Sequence, residues 1–390
     1  MKNIALPCLP LTLALTLTLS SSAGAQGVPS TLYGGAVAGA NEGNLVAIDQ
    51  TSYATSEVIG TAYSRMSGLA ITPDGRMWAS MHFPANDLLE LDPDTAQVLS
   101  TVTLELDGES PHLSDLAVQP GTGTLFGLGR NSQEIAVLYT IDPATGAMVE
   151  IGTTGATRQG GLAFASDGTL YMSESALTTP LHTLDPATGA ILSTTIVDTV
   201  GMSIHGLTFD PLTDELYGCS GNGDIITIDP ATGVNTFVAK LDGVAVSDLE
   251  FRLPEAKEQV RNSTLSTPNL AQLLPGVTSG PVIGAVWDPV IVSSPGTTSL
   301  VDVLITALTP ADVPLLPGPN GTLLCNILPG IADTNFSTPI GGVQQPFAIP
   351  FPDEPSIIGI TLCTQGGYAD GTTPGMIHLT NALDITIGAL

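Results

Sequence analysis

The sequence predicts an all-β fold: a five-bladed β-propeller with its ring closed by the last strand of the repeat region, followed by a β-sandwich. Three observations carry this. A short phrase recurs five times at the spacing of one blade. An apolar strand and an apolar-aromatic pair travel with it. The last third of the chain keeps strand-like runs but loses the phrase.

Residues 1–25 come first and read as a secretory signal peptide. Lys2 is followed by the apolar run Ile4–Leu19 and by Ala23-Gly24-Ala25, a small-residue cleavage site. The chain is expected to be exported and to begin near Gln26 once processed. No later stretch reaches the ~18 uncharged apolar residues of a membrane helix, since Asp288 and Pro289 interrupt the best run, Val282–Val292. No membrane insertion is expected.

Residues 26–253 hold the repeat. Its copies are Ile48-Asp49-Gln50, Leu91-Asp92-Pro93-Asp94-Thr95, Ile141-Asp142-Pro143-Ala144-Thr145-Gly146, Leu184-Asp185-Pro186-Ala187-Thr188-Gly189 and Ile228-Asp229-Pro230-Ala231-Thr232-Gly233. The aspartates recur every 43 to 50 residues, a blade period. Proline presets φ, aspartate accepts backbone hydrogen bonds across the turn, and glycine supplies positive φ. These aspartates are therefore turn formers. Ahead of each turn stand an apolar strand (Leu69, Leu116, Leu162, Leu207 and Leu249 mark it) and a second strand with Leu32-Tyr33, Met77-Trp78, Leu125-Phe126, Leu170-Tyr171 or Leu216-Tyr217. The first repeat lacks its leading strand. Val246–Phe251 is a leading strand with no blade after it. The two ends thus complete one blade, which hides the sheet edges of the ring.

This part resembles the small bacterial propellers of the lactonase-like and surface-repeat kind. The resemblance covers the propeller only and transfers no catalytic residue.

Residues 254–275 are polar and charged (Glu255, Lys257, Glu258, Gln259) and read as a linker with a turn of helix. Residues 276–390 return to strands: Val282–Val292, Leu300–Ala307, Gly321–Leu328, Gln345–Pro350, Ser356–Thr364 and Met376–Ile387, separated by Pro/Gly turns. Short strands in this number predict a β-sandwich. The segments Leu274-Pro275-Gly276, Pro281–Gly284, Trp287, Leu323-Leu324 and above all Leu379-Thr380-Asn381-Ala382-Leu383-Asp384 resemble a C-terminal domain of exported planctomycete-like proteins. That resemblance implies export and a role in attachment or sorting at the envelope. It supplies no catalytic residue, and no Leu-Pro-x-Thr-Gly sorting motif is present. Cys325 and Cys363, both in strand-like runs, are the expected disulfide, which an exported protein can keep.

The chain carries a net charge of −28. Such acidity repels nucleic acid and anionic lipid, and neither is an expected partner. Against this background the cations are unevenly placed. Aligned on the strand leucine, Arg65, His112 and Arg158 stand four residues before it, His205 stands two before it, and His82 and Arg130 stand four after the second-strand aromatic. One mouth of the channel is thus expected to gather Arg65, His82, His112, Arg130, Arg158 and His205. Arginine forks and histidine rings suit an anionic or polyhydroxy ligand, or another envelope or extracellular protein. Local acids could instead balance these cations.

One residue before the leucine stand Gly68, Asp115, Gly161, Gly206 and Asp248. Asp115 and Asp248 are the candidate metal ligands, for Ca²⁺ or Mg²⁺, with His205 nearby. Two carboxylates are few for calcium, and the alternative is that both bond to neighbouring backbone. A Cys219–His205 nucleophile pair is disfavoured, because hairpin register sets His205 opposite Ser220. No catalytic residue is expected, since no nucleophile elbow, zinc-helix or phosphate-loop motif occurs. The sequence therefore predicts a non-catalytic binding propeller. The alternatives are a metal-dependent propeller hydrolase or lyase and a structural envelope component.

Overall fold

A computed structural model describes residues 30–389 except 40–42, 51, 53–54, 62–64, 82–85, 107–111, 132, 177, 199–201, 242, 263–268, 315–320, 329–330 and 374–375. The signal segment and His82 lie outside the described residues.

The repeat region forms five four-stranded antiparallel sheets in a propeller-like succession. The second runs Met66–Ile71, Met77–Met81, Asp87–Leu91, Val98–Thr103. The third runs Leu113–Val118, Leu125–Arg130, Ala136–Ile141, Met148–Thr153. The fourth is Leu162–Phe164, Leu170–Ser173, Thr179–Leu184, Ile191–Val197, and the fifth Ile204–Phe209, Leu216–Ser220, Asp224–Ile228, Asn235–Lys240. The first sheet draws on both ends of the region. Val244–Arg252 pairs with Thr31–Gly39, which leads to Asn44–Ile48 and Thr55–Thr61; Leu32 sits opposite Phe251 and Gly34 opposite Leu249.

Apolar side chains fill the spaces between sheets. Tyr33, Leu45, Leu69 and Met77 join the first sheet to the second. Trp78, Leu116 and Tyr139 join the second to the third, and Phe126, Leu138, Leu162 and Met172 the third to the fourth. Leu181, Leu207 and Ile226 join the fourth to the fifth, and Leu32, Tyr217, Ile225 and Leu249 join the fifth back to the first. The strand leucines therefore serve as the packing knobs between neighbours.

The aspartate turns are built as their chemistry requires. Thr145, Thr188 and Thr232 donate their hydroxyls to Asp142, Asp185 and Asp229 at 2.7, 2.8 and 2.6 Å. Ala144, Ala187 and Ala231 donate backbone N–H to the same carboxylates. These bonds hold all three carboxyls below the usual range. Gly146, Gly189 and Gly233 close the turns at φ near +75° (78°, 74° and 74°).

Beyond Leu253 a five-stranded antiparallel sheet takes the order Lys257–Arg261, Ile377–Thr386, Thr361–Asp370, Ser299–Ala307, Asp333–Ser337. Three two-stranded pairs accompany it: Gln272–Leu274 with Val290–Val292, Val286–Trp287 with Ile349–Pro350, and Pro310–Pro314 with Thr322–Cys325. Leu273, Trp287, Ile291, Leu304, Phe347 and Tyr368 make its core. Cys325 and Cys363 are bonded, with Cα atoms 5.6 Å apart.

The structure differs from the expected linker. Lys257–Arg261 is a strand of this sheet, paired along Ala382–Thr386. Its polar residues have partners that a sequence reading does not see. Glu258 accepts the Trp287 indole N–H at 2.6 Å, and the Arg261 guanidinium meets Asp384 at 2.7 Å. No helix among the described residues is long and apolar enough to cross a membrane.

Candidate binding site around the central channel

The leading strand of each sheet lines the channel, so its free N–H groups point inward. The leucine N–H groups show how they are satisfied. Asp115 accepts from Leu116 at 2.7 Å and from Leu162 of the next sheet at 2.6 Å. Asp248 accepts from Leu249 at 2.7 Å and from Leu69 of the next sheet at 2.5 Å. Two carboxyls thus serve four inward donors and stitch neighbouring strands together.

Space explains why the other members of this column are glycine. A Cβ on Gly68 would lie 2.7 Å from the Leu116 nitrogen, one on Gly161 2.4 Å from the Leu207 nitrogen, and one on Gly206 2.4 Å from Asp248 Cα. The channel is too narrow at this level for a third side chain.

Asp115 and Asp248 are buried at the centre of the channel, close enough for each to influence the other's ionisation. Burial, with the Asp248 charge beside it, raises Asp115 well above the carboxylate range. Burial pushes Asp248 up to about 7. The structure brings the two expected metal ligands together but turns their oxygens toward backbone N–H groups. Among the described residues no group of three or more His, Cys, Asp or Glu is placed to hold a metal ion.

At the mouth where these strands begin, four of the five sheets carry a β-bulge at the same place. The pairing skips Ser67, Ser114, His205 and Ser247. A bulge re-aims the side chain it releases. Ser114 and Ser247 use this freedom to bond the adjacent leading strands, at Gly160 O (3.3 Å) and Met66 O (2.6 Å). His205 uses it to enter the mouth. The expected pairing of His205 with Ser220 is corrected accordingly: Ile204 faces Ser220, Gly206 faces Cys219, and His205 faces neither. Cys219 is buried and its thiol is pushed up by burial, which removes it as a nucleophile.

The described cations of this mouth form a partial arc. Arg130 bonds Gln159 of the next sheet and pairs with Glu134 at 2.6 Å. Arg158 donates to Ser175 O at 3.2 Å. The Ser175 hydroxyl lies 3.5 Å from His205 Nε2, which also meets Ser203 Oγ at 2.9 Å. Burial lowers the His205 pKa, favouring the neutral ring. His112 is exposed and meets Asn86 Oδ1 at 2.6 Å; Arg65 is exposed in a left-handed conformation, φ 61°. Local balance accounts for Arg130 through Glu134. Gln159, Ser175 and Ser203 join the mouth and were missed, because polar loop residues carry no repeat signal.

At the opposite end a cavity of about 390 Å³ opens. Glu250 lines it, accepting from Ile71 N–H at 3.2 Å and the Thr208 hydroxyl at 3.1 Å. Burial, reinforced by Asp248, pushes Glu250 up to about 8. This residue was also missed, although a signal existed. The equivalent positions are Ala70, Ala117, Ala163 and Thr208, so an acid stands out in that column.

No family model matches the chain, and no curated protein matches it. Among solved structures, a gluconolactonase from Xanthomonas campestris is similar at 18% identity, covering 57% of this chain and 80% of that one, with a TM-score of 0.38. A protein of unknown function from Bacteroides caccae is similar at 12% identity over 59% and 79% (TM-score 0.36). A glutaminyl cyclase from Myxococcus xanthus is similar at 18% over 59% and 85% (TM-score 0.32). At these identities and scores the likeness carries no activity to this chain.

Proposed function

We propose that this chain is an exported, non-catalytic binding protein. Its repeat region is a five-bladed β-propeller closed by Val244–Arg252, and its C-terminal part is a β-sandwich serving as an accessory or attachment module. Support for closure comes from the fifth-to-first core and from the pairing of the region's two ends. The propeller takes an anionic or polyhydroxy ligand, or an acidic face of another extracellular protein, at the Arg/His mouth.

The observation that carries this reading is the arc from Arg130 through Arg158 to His205. It spans three consecutive sheets and presents cationic and switchable donors around one mouth of the channel. In a chain of net charge −28, Arg158 supplies the attraction for an anion at this place, while Arg130, paired with Glu134, and the neutral His205 ring supply further donors. The metal-dependent hydrolase reading gains no support, because the oxygens of Asp115 and Asp248 are taken up by backbone donors.

A melting-curve screen with uronic acids, phosphates and neutral sugars at fixed ionic strength tests the proposal. A ligand at a hundred times its Kd adds about 2.7 kcal/mol of stability. The Arg65→Ala/Arg158→Ala double variant is expected to abolish that shift. An undiminished shift in the double variant would sink the proposal.

A further inference from the structure

At the second channel mouth the ladder pattern turns a set of backbone donors toward the channel. Thr72, Gln119, Ala165 and Asp210 donate their N–H groups back across the hairpins, to Arg76, Thr124, Thr169 and Glu215. In an antiparallel pair the bonded direction alternates residue by residue. The residues just before them, Ile71, Val118, Phe164 and Phe209, therefore point their N–H groups away from the second strand and into the channel. Ile71 bears this out, since its N–H reaches Glu250. On the first sheet Phe251 is equivalent, two residues after Leu249, whose N–H meets Asp248. All five residues line the 390 Å³ cavity.

One level deeper, Asp115 and Asp248 satisfy four such donors. At this level Glu250 satisfies one, and Val118, Phe164, Phe209 and Phe251 are left directing N–H groups at open volume. Phe164 and Phe251 are buried and Val118 and Phe209 half-buried; backbone donors in such places are nearly always paired, so these four suit an acceptor bound in the cavity. Pro73, Pro120, Pro211, Leu253 and Ala389 give the wall a largely apolar surface, with Thr72, Gln119, Thr208 and Arg252 as its other polar members.

Charge narrows the chemistry. Asp248 and, through it, Asp115 lie behind Glu250, and Arg252 on the same strand is occupied by Asp94 and Glu255. The flanking strands add the Thr208 hydroxyl and, at the far mouth, His205. With these carboxyls pushed toward their neutral forms and Arg252 already paired, an anion would find no free counter-charge to offset its desolvation, and a cation would meet the positive ends of the N–H groups. A neutral acceptor meets neither obstacle.

We propose that this cavity is a second binding site, separate from the Arg/His mouth, for a small uncharged molecule with an apolar body and carbonyl oxygens that accept from the N–H groups of Val118, Phe164, Phe209 and Phe251. The full chain, labelled with ¹⁵N and titrated with N-methylpyrrolidone as the neutral probe, tests it by amide NMR. Cyclohexylammonium and butyrate serve as the charged comparisons. Saturable shifts of the amide resonances of these four residues are expected with the neutral probe. They should persist in Arg65→Ala/Arg158→Ala, which alters only the other mouth. They should vanish in Gln119→Trp, whose enlarged side chain fills the rim; unchanged amide resonances elsewhere would confirm that this variant is folded. Absence of saturable shifts at these amides, shifts that survive in folded Gln119→Trp, or stronger shifts from either charged probe would each overturn the proposal.

Discussion

The channel carboxyls are the residues on which burial acts most strongly. An ordinary glutamate ionises near ~4.3 and an aspartate near ~3.9, yet Asp248 is raised to about 7 and Glu250 to about 8. A raised carboxyl pKa means that the folded state binds more protons than the unfolded state between those values. Its contribution to stability is therefore complete below about pH 4 and is lost as pH rises through 7 to 8. The melting temperature is expected to fall between pH 5 and 8.5, against the usual rise with pH that hydrogen-bonded carboxylates give. His205 works the other way over part of the range. Its lowered pKa costs stability as pH falls below about 6.5. Glu250→Gln should flatten the fall across roughly pH 5 to 8 and leave stability below about pH 4 unchanged. A wild-type curve that is level or rising from pH 6 to 8.5 would show that these carboxyls are not desolvated as described.

At the level of the element, the aspartate turn does two jobs, and only one was legible. Its local chemistry could be read directly, because proline, aspartate, threonine and glycine each have a distinct part in the turn. Its second job is to set the spacing between sheets. The glycines of the last three turns lie against the outer strand of the preceding sheet, and a Cβ there would fall 2.2 Å from Thr103 O at Gly146 and 2.1 Å from Ile196 O at Gly233. Gly233→Ala should therefore cost more than its backbone strain. Gly168 offers the contrast: φ is 86° and nothing lies within 4 Å of its added Cβ. Gly168→Ala is expected to cost about 1 kcal/mol from strain alone, and Gly233→Ala about 2–3 kcal/mol, read as shifts in urea midpoint. Equal costs would remove the spacing role. The bulges were the illegible part of the leading strand. A hairpin register counted from turn to turn assumes one residue opposite one, and the released residue at His205 breaks that count. Glu258 and Arg261 misled for a related reason: polarity read as a linker, while partners more than 20 and 120 residues away, Trp287 and Asp384, make a strand of it.

For the whole molecule, the decisive contact joins the two ends of the repeat region. Thr31–Gly39 receives its channel-side neighbour from Val244–Arg252, more than 200 residues later in the chain. The missing first strand and the surplus last strand made this pairing legible in the sequence, since neither end was complete alone. Without Val244–Arg252 three things fail together. Thr31–Gly39 is left with an open edge that invites association. The core between fifth and first sheets loses Val246, Leu249 and Phe251. The channel loses Asp248, and with it the acceptor for the Leu69 N–H. The C-terminal sheet cannot replace any of these, because it begins only at Lys257. A chain ending at residue 243 is therefore expected to aggregate or to melt without a cooperative transition, while one ending at residue 256 keeps all five sheets and should melt cooperatively. Circular dichroism melts with size-exclusion profiles distinguish the two. If the shorter chain is monomeric and melts as sharply as the longer, the five sheets do not depend on closure, and the channel built at their centre would have to be held by the sheets' lateral packing alone.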